Sequence, residues 1–182
     1  MIVHILYTPG LMESIREETK SAFQSEDNHD IFNSCPKLDS LWNEVLRVTA
    51  AATAVRTVET DIVVGGKLLK KGNTTLMSAR ALHYREAEFG EDVKDFDPDR
   101  FEKNPHLRRS PAFRPFGGGI TQCPGRFLAR YMVFSFVALV LHRYDVSLAM
   151  PQPMPQGSKE KPAVGIVDGD RDLLIRFKER CI

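Results

Sequence analysis

The chain has 182 residues, of which 42% are hydrophobic and 27% charged, with a formal net charge of +1. That balance describes one soluble globular unit able to bury a core, and it excludes a disordered tail and a polycationic nucleic-acid binder. Cys35, Cys123 and Cys181 are widely separated and form no CxxC pair, so they make no disulfide framework and point to a reducing compartment.

Met1 to Tyr7 is apolar and starts without a polar lead-in or cap, so it reads as the tail of a longer element. Thr8-Pro9 supplies an N-cap and a first-turn proline for an amphipathic helix to about Phe23, with Leu11, Ile15 and Ala22 apolar; Asp27-Asn28-His29-Asp30 ends it. Ser34 and Pro36 open a second helix with Leu38, Leu41, Trp42, Val45 and Val48 along one side. Glu44 and Arg47, three apart on that helix, can bond each other or share a partner. As an exposed pair they contribute only about 0.3–0.5 kcal/mol.

Val55 to Asp61, Ile62 to Val64, Lys67 to Leu69 and Thr74 to Met77 read as short strands. Gly65-Gly66 is a two-residue hairpin signal, and Lys71-Gly72 marks the next turn. Ser78 is placed to cap a helix from Ala79 to Glu88, and Phe96-Asp97-Pro98-Asp99-Arg100-Phe101 follows in a loop. Further on, Phe127 to Leu141 has helix length and few breakers, so a buried helix is expected. Its most apolar part, Tyr131 to Leu141, is well short of the roughly 20 residues of a bilayer span, and no signal peptide is visible.

Tyr144 to Met150 reads as a strand, and Pro151, Pro153, Pro155 and Pro162 mark an extended loop exposing Lys159, Glu160 and Lys161. Val164 to Val167, a turn at Asp168-Gly169-Asp170 and Leu173 to Phe177 then predict a closing hairpin. No internal repeat and no second-domain linker is present, so residues 1–182 belong to one α+β, mainly helical domain.

Between the loop and the long helix lies Phe113-Arg-Pro-Phe-Gly-Gly-Gly-Ile-Thr-Gln-Cys-Pro-Gly-Arg126. Gly117 to Gly119 can take positive φ and admit a close neighbour, and Pro124 suits the first helical position, which puts Cys123 at a helix N-cap. A free cysteine titrates at about 8.5, and a helix N-terminus, a basic neighbour such as Arg126 or a bound metal each lowers that value. A thiolate on so open a loop is a nucleophile or a metal ligand, while a buried structural cysteine is the ordinary alternative. A phosphate loop requires Gly-Lys-Ser/Thr, which does not follow, and a zinc site requires more nearby paired ligands.

Phe116-x-x-Gly119-x-x-x-Cys123-x-Gly125 resembles the haem-binding loop of the cytochrome P-450 superfamily. Two further motifs share the resemblance: Glu44-x-x-Arg47, and the Pro98-Asp99-Arg100-Phe101 segment, similar to the family's Pro-Glu-Arg-Phe with Asp99 in place of Glu. The resemblance implies that Cys123 is the axial thiolate of a haem b iron, donating electron density that favours O–O cleavage. It also implies that Phe116 shields the sulfur, that Gly119 and Gly125 admit the porphyrin, and that Glu44, Arg47 and Arg100 form a buried triad behind the loop. Arg56 and Arg114 become candidate partners of the haem propionates. Thr121 stands where many members carry a propionate-binding arginine, a departure shared with sterol and bile-acid hydroxylase-like and prostacyclin-synthase-like branches.

By the same resemblance Ala51, Ala52, Thr53, Ala54, Val55, Gly165 and Ile166 are candidates to line a substrate pocket, although small residues also pack helix against sheet. Lys103, Arg108, Arg109, Arg126 and Arg130 make a basic cluster that either steers an acidic electron-donor reductase, itself fed by NADPH, or is ordinary solvated charge. The implied activity is insertion of one oxygen atom of dioxygen into an apolar, lipid- or sterol-like substrate, in a parent protein at the endoplasmic reticulum membrane. Relatives that isomerise or dehydrate peroxides share the same loop. The resemblance covers nearly the whole chain but less than half of the family's usual length: the membrane anchor and the oxygen-activating Ala-Gly-x-x-Thr motif are absent from these residues. A C-terminal portion, or a truncated product without activity of its own, is expected.

Overall fold

A computed structural model describes residues 1–23, 35–158, 160, 163 and 165–181. The expected helix stop at Asp27 to Asp30, Ser34, Lys159, Lys161, Pro162 and Val164 lie outside the described residues. The architecture is mixed: seven α-helices are seen among the described residues, with three two-stranded antiparallel sheets.

Helix α3 (Pro36–Thr49) is the axle. Pro36 stands in its first turn as expected, and Leu38 and Leu41 are completely buried on the face that meets the rest of the core. Against it pack α2 (Leu11–Thr19) through Leu11 and Ile15, α6 (Arg100–Lys103) through Phe101, and α7 (Arg126–Arg143) through Phe134, Val137 and Leu141, while α1 (Ile2–Tyr7) lies against α2 and adds Ile5 to the same core. Trp42 meets the Phe134 ring edge-on at 6.2 Å, a favoured aromatic geometry.

Several boundaries differ from expectation. Helix α2 begins at Leu11, because Gly10 adopts φ 74° and turns the chain; Thr8 and Pro9 form that turn. The helix over 79–88 is two short pieces, α4 (Ala79–His83) and α5 (Glu86–Phe89), with the Ser78 hydroxyl accepting from Ala81 N–H at 3.3 Å. Strand β1 (Thr53–Thr57) starts earlier than Val55 and pairs with β4 (Thr74–Ser78), while β2 (Ile62–Val64) and β3 (Lys67–Leu69) form a separate hairpin. Gly65 and Gly66 both take positive φ, 57° and 77°, as a type I′ turn requires.

The closing hairpin is not formed as predicted. Strand β5 (Tyr144–Leu148) pairs with β6 (Ile175–Glu179), and Ile166 instead makes an isolated bridge to Ala50 at the end of α3. Helix α7 also departs from a uniformly buried state: Phe134, Val137, Ala138 and Leu141 are buried, but Phe127, Leu128, Tyr131, Met132 and Phe136 are exposed. An apolar run without a polar stripe cannot say which side meets the core. No helix among the described residues is long and apolar enough to cross a membrane.

The start of α3 has a cap supplied from elsewhere in the chain. Cys35 at the N-cap makes no side-chain cap bond; the Glu18 carboxylate of α2 accepts from Lys37 N–H at 2.7 Å and Leu38 N–H at 2.8 Å. Burial pushes the Glu18 carboxyl above its ordinary range in spite of those two donors. Glu18→Ala is expected to lower stability by about 1 kcal/mol, the size of a lost cap, read as a lower denaturant midpoint with an unchanged slope.

Candidate functional site

Two residues after the last bond of the glycine loop, α7 begins with Gly125 as its N-cap, so Cys123 precedes the cap rather than occupying it. The turn at Pro124-Gly125 inserts between sulfur and helix, and the Gly125 carbonyl accepts the first helical bond from Ala129 N–H at 2.9 Å. The Cys123 side chain is exposed, while its N–H donates to the Phe116 carbonyl at 3.0 Å and closes the loop. Gly117 and Gly119 take φ 74° and 68°, values that penalise any residue with a Cβ. A Cβ at Gly125 would stand 3.8 Å from the Cys123 sulfur, in ordinary van der Waals contact with it. The Phe116 ring lies 6.3 Å from Trp42, anchoring the loop to α3.

The loop forms one wall of a cleft of about 740 Å³. Cys123, Phe116, Gly119 and Arg114 line it from the loop side, facing Ala52, Thr53, Ala54, Val55 and Arg56 of the β1 region, with Gly165 and Ile166 closing an edge. Ala51 and Gly125 are not among the lining residues: the Ala51 N–H is engaged with the Gly165 carbonyl at 2.7 Å. Arg56 donates to the Thr121 hydroxyl and to the Val55 carbonyl, and Arg114 donates to the Pro111 carbonyl at 3.0 Å. Met77, Ala79 and Leu82 also line the cleft and were not anticipated. Met77 follows from strand register, since it pairs with Ala54, but register is not visible before the strands are matched.

Behind the loop, Glu44 and Arg47 are both 0% exposed and joined through two parallel bonds of 2.6 and 2.8 Å. Arg100 reaches the same carboxylate at 3.3 Å. Arg47 further donates to the Val93 carbonyl at 2.7 Å and the Asp95 carbonyl at 3.1 Å, and Arg100 to the Phe89 carbonyl at 2.7 Å. Two guanidiniums face one buried carboxylate; Asp92, 2.9 Å from Arg100, supplies the second negative charge. The bond from Arg100 holds the Asp92 carboxyl below its ordinary range. Asp99, in the position resembling the commoner Glu, pairs instead with Lys37 at 3.3 Å.

The basic cluster is partly neutralised internally. Arg108 and Arg130 both engage Asp39, at 2.8 and 3.0 Å, and Lys103 engages Asp97 at 2.9 Å. Arg109 is exposed, and Arg126 donates to the Cys123 carbonyl while lying 4.2 Å over the Phe127 ring. The other two thiols are no rivals to Cys123 at the cleft: Cys35 is buried with its thiol pushed up to about 11, and Cys181 is absent from the lining.

A helical segment with small sheets, presenting one cysteine on a glycine loop to an open cleft above a buried carboxylate–guanidinium triad, defines a thiol-presenting scaffold. The sequence model of the family Cytochrome P450 matches residues 1–172, and the chain belongs to that family. It is 32% identical over 162 residues to the cytochrome P450 monooxygenase poxD of Penicillium oxalicum, covering 81% of this chain and 33% of that protein. It is 27% identical to the steroid 17-alpha-hydroxylase/17,20 lyase of Gallus gallus, covering 85% of this chain and 32% of that one. The bifunctional cytochrome P450/NADPH–P450 reductase of Gibberella moniliformis is 26% identical, over 79% of this chain and 13% of that one. Retinoic acid bound cyanobacterial CYP120A1 superposes with a TM-score of 0.81 at 21% identity, over 98% of this chain and 40% of that chain, which shows the fold. The chain spans about a third of the length of the first curated relatives it matches.

The family's cofactor is haem b, and the donor chemistry here fits it. Among the described residues no group of three or more His, Cys, Asp or Glu can hold a bare ion. A single thiol on a side-chain-poor wall, with Arg56 and Arg114 at the same cleft, suits a metal already held in a planar dianionic macrocycle.

Proposed function

We propose that this chain is the cysteine-bearing part of a haem-thiolate monooxygenase, and the observation that carries the reading is the exposed Cys123 side chain on the wall of the apolar cleft. Haem, when bound, supplies the centre at which dioxygen is activated with two electrons and one oxygen atom is inserted into substrate. The chain's own residues do the rest. The Cys123 sulfur would be the thiolate ligand of the haem iron, and the backbone bond from Cys123 N–H into the Phe116 carbonyl would hold the loop that presents it. Arg56 and Arg114 offer positive charge to the propionates, and the Arg56 bond to Thr121 makes Thr121 the support of that arginine. Ala54, Val55, Met77 and Ile166 wall the cleft with apolar surface, which excludes water and favours a lipid- or sterol-like substrate. Similarity to steroid hydroxylases supports that class. Electrons come from an NADPH-fed reductase docking on the basic side at Arg109 and Arg126, as the fused P450–reductase relative supports.

The test is to supply haem to the chain, reduce it and record the carbon-monoxide difference spectrum. The unaltered chain is expected to give the band of a thiolate-ligated ferrous haem, and Cys123→Ala to lose it completely. A band that survives Cys123→Ala would defeat the assignment.

A further inference from the structure

His83, the last residue of α4, is 0% exposed and belongs to neither the triad nor the cleft. Its Nε2 accepts the Arg114 backbone N–H at 2.9 Å, so that nitrogen carries no proton. The ring proton therefore sits on Nδ1, 3.1 Å from the Arg47 carbonyl oxygen, to which it donates. In return, Arg47 Nη1 reaches the His83 carbonyl at 3.3 Å. The imidazole packs against Phe113 with ring centroids 5.3 Å apart, which fixes its plane.

Both partners are backbone groups, and both matter to the site. Arg47 holds the triad carboxylate from α3. Arg114 is the hinge of the cysteine loop: its carbonyl accepts from Gly117 N–H at 3.1 Å, and two residues on, the Phe116 carbonyl accepts from Cys123 N–H. A continuous path of hydrogen bonds and short backbone steps thus runs from α3, through one neutral ring, into the loop that carries the sulfur.

We infer that His83 is a positioning residue whose imidazole sets the Cys123 loop at a fixed height and tilt against α3, and so presents the sulfur for ligation. A side chain that merely filled space would pack against Phe113 equally well as phenyl. The two-sided use of the ring, one nitrogen donating and the other accepting, is the part a phenyl ring cannot supply, and it would leave the Arg114 N–H and Arg47 carbonyl without their ring partner. Glutamine carries one acceptor and one donor at its tip and is the closest replacement. The consequence for ligation rests on the haem-thiolate reading above; the consequence for the loop does not.

The experiment separates the two. In a Cys181→Ser background, where Cys35 is buried, the rate at which a maleimide modifies the haem-free chain reports the mobility of Cys123. His83→Phe is expected to raise that rate several-fold, and His83→Gln to bring most of it back. Ile15→Ala, a fully buried site far along the chain in α2, serves as the control for general destabilisation. If His83→Phe reacts no faster than Ile15→Ala of equal stability, or if His83→Gln restores the denaturation midpoint without the low rate, the inference is overturned. Should the phenyl variant fail to fold, His83→Asn replaces it: one methylene shorter than glutamine, it spans only one of the two partners and is expected to fall between His83→Gln and Ile15→Ala, and a rate equal to wild type overturns the inference. With haem added, the His83 variants are expected to show a smaller share of the thiolate-type ferrous carbon-monoxide band, recovered in His83→Gln. A full band in His83→Phe breaks the link to ligation, whereas no band in the unaltered chain defeats the haem reading and leaves the maleimide result standing.

Discussion

Glu44→Ala is expected to destabilise the chain by about 3–5 kcal/mol, the cost of leaving a buried charge without its partner. The carboxylate is 0% exposed and faces two guanidiniums, Arg47 at 2.6 Å and Arg100 at 3.3 Å; Asp97 N–H also donates to it at 3.1 Å. Its removal strips charge balance from Arg47, whose other bonds go to neutral carbonyls, while Arg100 keeps Asp92. A domain of this size is stable by only about 5–15 kcal/mol, so the variant is expected at the edge of unfolding in water. The measurement is a urea midpoint by tryptophan fluorescence, for which Trp42 is the sole reporter. A loss under about 1 kcal/mol would mean that the triad is solvated in solution. Arg47→Met added to Glu44→Ala is expected to cost less than the sum of the singles, because the second change removes the buried charge that the first left without a partner.

Acid is the second lever. Burial lowers the His83 value from 6.5 to about 4, and the neighbouring Arg47 charge acts in the same direction. A base whose folded value is depressed keeps its full contribution above the unfolded value and loses it as pH falls from about 6.5 towards 4. For His83 the whole window is worth on the order of 3 kcal/mol, with roughly 2 kcal/mol already lost at pH 5. His4, stacked 3.9 Å from Phe96 and also lowered by burial to about 4, acts in the same window and with the same sign. Urea midpoints at pH 7 and pH 5 are expected to differ strongly in the unaltered chain. In His83→Gln the difference is expected to shrink by about half, His4 supplying the rest; an undiminished difference would place the acid sensitivity elsewhere.

What the sequence makes legible follows from chemistry that ties residue types to short spacings. Gly117, Gly119 and Cys123 are readable because a tight turn at positive φ and an outward thiol leave few alternatives. Gly65-Gly66 is readable for the same reason. Glu44 and Arg47 are readable as a pair, but their complete burial depends on His83, Val93 and Asp95 bringing carbonyls to the Arg47 guanidinium from a segment with no periodic signal. Asp92, His83 and Glu18 escape a reading of the sequence because each works through a partner 8 to 36 positions away. The β5–β6 pairing escaped because Leu173 to Phe177 looks as good a partner for Val164 to Val167 as for Tyr144 to Leu148, and only the bridge from Ile166 to Ala50 decides.

The long helix α7 remains the element with two apolar sides and one core. Phe127, Leu128, Tyr131, Met132 and Phe136 are 54–69% exposed along a single helix. So much contiguous apolar surface makes concentration a working variable for the isolated chain. Elution volume in gel filtration is expected to shift with loading, and mild detergent to narrow the peak, before any question of ligand arises. Replacing Phe127 and Met132, which belong neither to the buried triad nor to the lining of the cleft, by polar residues is therefore the first step towards a sample in which the other measurements can be made.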